Sequence, residues 1–398
     1  MNEQPYVSIY QDGAAPRVSY QAPRWKEPRR HSTAYYVGIA VLVAVAVAGF
    51  FYTLPLISFK GAGVTVMLGL LALFPVIVIL LVIRWIDQWE PEPVGLYAVA
   101  FGWGAGVSTL MAIVGNFVFE SAVSSMSELD AYQQAALPVV VGAPLIEEAV
   151  KGLGVLILFL AFARYFNGPV DGLVYGMLIG LGFAFTENIF YFGQFYDELG
   201  AVFQARAIES PFVHPLCTAM TGMFVGMATN RRSSLSVIPL AIAGYSSAVL
   251  LHGLHNYSAV QNIGSAERFA FQLPIYVGAI YLVIFLRRRE RERVTQALVD
   301  YAQAGWITGN EIAMIQTIPN RQAAVNWAGS NVRSLGGNAE EGRQAMRRFQ
   351  TELVELGNVR SRDLHRMTVH LPRHRAEEAR RLYLLGELRS VFTGVRHG

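Results

Sequence analysis

Eight apolar runs, at residues 33–54, 63–86, 94–119, 137–163, 170–195, 211–229, 236–257 and 269–287, leave this chain few ways to fold. Each is near the roughly 20 residues a helix needs to cross a hydrocarbon core of about 30 Å. Lipid cannot satisfy a bare backbone, so such runs become helices or a closed barrel, and long uninterrupted runs point to helices. The expected fold class is all-α: a polytopic membrane helix bundle of about eight transmembrane helices. Composition agrees, with 53% hydrophobic residues against 15% charged and a positive mean hydropathy.

Three regions follow from this pattern. Residues 1–32 hold several prolines and no apolar period, and read as a disordered basic tail. Residues 33–287 form the transmembrane region. Residues 288–398 read as a soluble, helical domain: Val294, Leu298 and Tyr301 share a helical face, as do Met346, Phe349, Leu353 and Leu356, and then Leu385, Leu388 and Phe392. That last region has 18 Arg, no Lys and 12 acids, about +6. The excess fits attraction to an anionic inner leaflet or to nucleic acid, though no nucleic-acid motif accompanies it, and the domain is also a candidate to bind a cytoplasmic partner.

Basic residues favour alternate loops. Arg24, Lys26, Arg29 and Arg30 precede the first run, Arg84, Arg164 and Arg231-Arg232 follow the second, fourth and sixth, and Arg287, Arg288, Arg289, Arg291 and Arg293 close the eighth. The intervening loops hold little beyond Lys60, Arg206 and Arg268, with Glu128, Asp130, Asp197 and Glu198. The positive-inside rule then predicts cytoplasmic termini. Ala46-Val47-Ala48 looks like a signal cleavage site, but the apolar run continues past it to Phe51, so the run reads as a span.

Against this background, polar residues inside the runs stand out, because ionisable groups at membrane depth usually mark a site, a pathway or an obligatory pair. Glu147-Glu148 sit in the fourth run, with Lys151 within ion-pair reach of either. The two carboxylates are about 100° apart around a helix, so Lys151 can neutralise one while the other faces water. The fifth run carries Gly172, Gly176 and Gly180, a seam for close helix approach, and then Glu187-Asn188. His214 opens the sixth run, which adds Gly222 and Gly226. His252, His255 and Asn256 share one stripe of the seventh. At about 1.5 Å per residue, Glu147, Glu187, His214, His252 and Asn256 all fall in the outer half of the bilayer. The single cysteine, Cys217, excludes an internal disulfide and reads as a small buried thiol in preference to a Cys-His nucleophile. The turn Asp87-Gln-Trp-Glu-Pro-Glu-Pro93 reads as an interface turn, with Trp85 and Trp89 at headgroup level.

At these residues the chain resembles the PrsW family of intramembrane proteases, related to the CAAX prenyl endopeptidases and bacteriocin-processing membrane proteases. The matching elements are Asp87-x-x-Trp-Glu-Pro-Glu-Pro, Glu147-Glu148-x-x-Lys151, Phe183-x-x-x-Glu187-Asn188, His214 and His252-x-x-His255-Asn256, in the family's order across about residues 60–257. The resemblance implies a plasma-membrane protease, of bacterial type, acting on a membrane-anchored protein; the family is associated with the first cut of anti-sigma factors. It implies Glu147 as the base that activates water, His252 and Asn256 as oxyanion donors, Glu187 and His214 as water-orienting or proton-sharing groups, and Glu148 balanced by Lys151. Asn188 and His255 support the site. The reading is a glutamic-type endopeptidase with no cofactor. Its alternatives are a zinc protease with Glu147, Glu187, His214 and His252 as ligands, a proton-coupled transporter, and a membrane scaffold working through its basic tail.

Overall fold

A computed structural model gives the conformation of residues 33–57, 60–230, 234–261, 264–366 and 372–394. The expected basic tail 1–32 and the Arg231-Arg232 pair lie outside the described residues. Among the described residues every regular element is helical. The chain divides into two compact units, one from His31 to Arg287 and a second that includes Arg288–Gly398.

The first unit contains α1 (Thr33–Ile57), α2 (Ala62–Ile86), α3 (Val94–Ser124), α4 (Ala131–Leu137), α5 (Ala143–Ala161), α6 (Pro169–Gln194), α7 (Leu199–Phe203), α8 (Val213–Met227), α9 (Val237–Val260) and the start of α10 (Ser265–Ala297). Six of these, α1, α2, α3, α6, α9 and α10, are long and apolar enough to cross a membrane. The expected number was eight, and the other two runs correspond to α5 and α8. α5 carries Glu147, Glu148 and Lys151 within its 19 residues. α8 has only 15 residues, about 22 Å of helix. The two helices that length and apolarity fail to mark as spans carry Glu147, Glu148 and Lys151 on α5 and His214 on α8.

α6 is buried along nearly its whole length, as expected for a helix that is apolar all round. Its glycine seam lets the α8 backbone come into direct contact. A β-carbon at Gly172 would lie 2.0 Å from the Gly222 carbonyl oxygen, and one at Gly180 would lie 2.3 Å from that of His214. The second contact brings the start of α8 against α6, and His214 Nε2 reaches Glu187 Oε2 at 2.6 Å.

α5 is gripped from α3. Residues Trp103–Ser108 form a widened, π-helical turn, a local geometry often found at functional sites. From it the Trp103 Nε1–H and the Ser108 hydroxyl both donate to the Val150 carbonyl, at 3.1 and 3.2 Å. A second widened turn, Pro138–Gly142, leads into α5.

The Asp87–Pro93 turn differs from the expected interface turn. Trp85 is half-exposed under the Arg287 guanidinium, 4.5 Å from its ring centre, but Trp89 is buried at 3% exposure. The turn folds inward because its carboxylates find donors there. Asp87 Oδ2 accepts from the Glu92 amide at 2.8 Å and the Tyr97 hydroxyl at 2.5 Å. Glu92 Oε2 accepts from the Tyr175 hydroxyl at 2.5 Å. Burial pushes the Asp87 carboxyl up to about 6. Burial first, then the neighbouring Asp171 and Asp87, hold Glu92 well above the usual carboxylate range. Both acids bind protons more tightly folded than unfolded. The Asp87 contribution is therefore complete below about pH 4 and is lost as pH rises through 6, and that of Glu92 has the same sign. The detergent-solubilised protein is expected to melt higher at pH 5 than at pH 8, with Asp87 contributing at most about 3 kcal/mol. Asp87→Asn should flatten that dependence in a thermal-unfolding series.

The second unit contains α11 (Val299–Gln303), α12 (Gly309–Ile315), α13 (Ile318–Ser334), α14 (Ala339–Arg366) and α15 (Pro372–Thr393). Phe349 of α14 and Phe392 of α15 meet edge to face at 5.3 Å. The ten apolar residues assigned to three helical faces are all buried. Thr308 and Glu311 cap α12 reciprocally, and Arg389 forks onto Glu311 with contacts of 2.9 and 3.0 Å.

Candidate active site

The polar residues of α5, α6, α8 and α9 converge on one cavity of about 650 Å³. Its lining includes Glu147, Glu187, Asn188, His214, His252, His255 and Asn256, together with Gln134, Gln194 and Ser210 from one end of the bundle. Glu148 and Lys151 lie behind this surface, both fully buried.

Glu148 is the better-satisfied carboxylate. Its Oε1 meets Lys151 Nζ at 2.6 Å and His252 Nδ1 at 3.0 Å, and its Oε2 accepts from the Thr218 hydroxyl at 3.0 Å. Glu147 turns the other way around the helix. Its Oε1 accepts from Asn116 Nδ2 at 3.2 Å. Its Oε2 is buried with no hydrogen-bond partner, and stands 3.7 Å from Lys151 Nζ and 3.9 Å from His252 Nε2.

Donor and acceptor roles follow from these partners. An ionised carboxylate only accepts, so His252 carries its proton on Nδ1 and leaves Nε2 as a lone pair toward Glu147. Lys151 only donates, and its Nζ lies 3.2 Å from His214 Nδ1. His214 is therefore protonated on Nε2, which donates to Glu187 Oε2 at 2.6 Å. The two imidazoles meet edge to face with centroids 4.9 Å apart. Lys151 Nζ also lies over the Phe183 ring, 4.2 Å from its centre.

Two residues of the sequence reading are engaged elsewhere. Asn256 lines the cavity, but its amide donates to the Val139 carbonyl at 2.8 Å. His255 Nδ1 accepts from Gln272 Nε2 at 3.1 Å. Cys217 is buried.

Three contributors were not singled out from sequence. Arg206, on the widened turn Gln204–Glu209, forms an ion pair with Glu187, donates from Nε to Asn188 Oδ1 at 2.8 Å, and covers the Tyr191 ring at 4.1 Å. Thr218 supports Glu148, and Asn116 supports Glu147. The available signals were an amide within the apolar stretch of α3 and a hydroxyl one turn after His214.

The donor set suits a divalent metal ion, provided His214 gives up its contact to Lys151 or to Glu187. Glu147, His214 and His252 each offer one ligand atom, and these lie within 4.8 Å of one another. The unpartnered Glu147 Oε2 and the free His252 Nε2 are oxygen and nitrogen donors of the kind zinc takes, and Glu148 on His252 Nδ1 is the usual outer support of such a histidine.

A membrane-embedded cavity joining a buried carboxylate, two imidazoles and a supporting Glu–Lys pair belongs to the class of helical intramembrane hydrolases. Residues 92–287 match the model of a family described as PrsW family intramembrane metalloprotease. The matched region starts later and runs further than the 60–257 outlined by the motifs, taking in the membrane part of α10. Protease PrsW of Clostridioides difficile is 28% identical over 199 residues, covering 48% of this chain and 78% of that protein. Protease PrsW of Geobacillus kaustophilus is 26% identical over 199 residues, covering 49% and 79%. No solved structure matches. Over residues 92–287, just under half of the chain, the sequence is thus similar to the PrsW family of intramembrane proteases.

Proposed function

We propose that the protein is an endopeptidase that cuts a membrane-anchored protein near the outer leaflet, with Glu147 as the reacting carboxylate. The observation that carries this reading is the buried, unpartnered Oε2 of Glu147 facing a cavity shared with His252 Nε2. Glu147 takes a proton from water as the oxygen attacks the scissile carbonyl. His252 collects and delivers protons at Nε2, and the imidazolium so formed is balanced by Glu148 on Nδ1, as an aspartate balances the histidine of a serine protease. Arg206 and His214 fix Glu187 beside this centre. Asn256, once released from Val139, supplies an oxyanion donor. The arginine distribution supports a cavity mouth on the outer side and cytoplasmic termini. The anti-sigma factors associated with the family are the first substrates to examine.

Comparing new protein N-termini in cells expressing wild type or Glu147→Ala at matched levels tests this. A short set of extracytoplasmic, membrane-proximal cuts that vanish in the variant is expected; identical profiles under envelope stress would overturn it.

A second reading is favoured by the Glu147–His214–His252 donor set and by the family description. In it these three side chains hold a divalent ion, which when bound supplies Lewis-acid polarisation and an acidified water. Chelation distinguishes the two. Under the metal reading, a membrane-permeant chelator abolishes cleavage, zinc restores it, and purified His252→Ala protein holds less metal than wild type. Under the first reading, activity survives chelation.

A further inference from the structure

Asn116 has a position that the reaction as described does not use. It sits on the cavity-facing side of α3, and its Nδ2 meets Glu147 Oε1 at 3.2 Å. Because an ionised Glu147 only accepts, the amide orientation is fixed: the nitrogen faces the carboxylate and the oxygen faces away. That oxygen, Oδ1, is buried and has no hydrogen-bond partner. A buried acceptor left unmade costs about as much as a lost hydrogen bond, and this one belongs to a residue that lines the cavity a substrate must enter.

We propose that Asn116 positions both reactants: Nδ2 holds Glu147 in its reactive rotamer, and Oδ1 accepts a main-chain N–H of the bound substrate close to the scissile bond. This rests on the reading of Glu147 given above and adds a substrate class to it. Past its first turn a helix has its main-chain N–H groups occupied by its own carbonyls, so only a helix N-terminus or unwound chain can donate to Asn116. The substrate is therefore cut where its helix begins or is interrupted, at the end of a transmembrane helix or at a glycine or proline break within one.

The test uses the full-length protein in detergent and a synthetic peptide spanning a cut found in the N-terminal comparison. Amide N–H groups around the scissile bond are replaced one at a time by ester oxygens. For wild type, one position is expected to lower kcat/KM about 3- to 10-fold, the worth of one hydrogen bond. Asn116→Leu should lower kcat by about 10²-fold and be indifferent to the same ester. Asn116→Asp keeps an acceptor and loses the donor, so it should keep the ester effect while kcat falls, the donor that holds Glu147 being gone. Equal thermal melting of the three proteins identifies these as local effects. Ester effects of the same size in wild type and Asn116→Leu, or wild-type kcat in Asn116→Leu, would overturn the assignment. Retained cleavage by Glu147→Gln with loss in Asn116→Leu would instead refute the reading of Glu147.

Discussion

Glu147→Gln is expected to lower peptide cleavage by about 10²- to 10⁴-fold, the range associated with losing a positioned acid–base group, without loss of fold. Glutamine keeps the volume of the side chain and an oxygen to accept from Asn116 Nδ2, but it cannot take a proton from water. Thermal stability should hold or rise, because the substitution removes a buried charge whose Oε2 has no hydrogen bond. The check pairs initial rates on the identified substrate with a melting curve. Wild-type rates in a well-folded Glu147→Gln protein would remove Glu147 from the chemistry. Loss of both rate and fold would show that Glu147 is structural.

Lys151→Met should behave in the opposite way and remove the fold itself. Lys151 and Glu148 have 0% exposure and meet at 2.6 Å. Removing the cation strands Glu148 with only His252 and Thr218 to support its charge. Breaking a buried pair on one side costs about 3–5 kcal/mol, a large fraction of the roughly 5–15 kcal/mol that holds a domain together. The expected result is a sharp fall in folded yield and melting temperature. The double variant Glu148→Gln/Lys151→Met should recover much of the stability but not the activity, since His252 loses the carboxylate that fixes its proton on Nδ1. A single Lys151→Met variant as stable as wild type would contradict this account of the pair.

The residues show which parts of this architecture can be read from a linear chain. Apolar length marks six helices directly. The (i, i+3) and (i, i+4) relation between Glu148, Glu147 and Lys151 is a local property of any helix, so it was visible before packing was known. The same holds for Gly172, Gly176 and Gly180, whose spacing makes a seam whatever lies against it. The unread parts are long-range. Asn116 reaches Glu147 across 31 residues and Arg206 reaches Glu187 across 19; the crossing of α3 and α5 makes the first pair, and the return of the Gln204–Glu209 turn onto α6 makes the second. Trp89 was misplaced for the same reason: the burial of its turn depends on Tyr97 and Tyr175, contributed by α3 and α6. The widened turns at Trp103–Ser108, Pro138–Gly142 and Gln204–Glu209 have no periodic signature in the sequence, yet each borders the site.

The most direct measurement reconstitutes the purified full-length protein in liposomes with the membrane-anchored substrate found in cells, and identifies both fragments by mass spectrometry. The account predicts one cut at an outer-leaflet helix end or break by wild type and none by Glu147→Gln. An uncut substrate beside folded wild-type protein, with proton flux across the same liposomes, would contradict it and make the cavity a transport pathway.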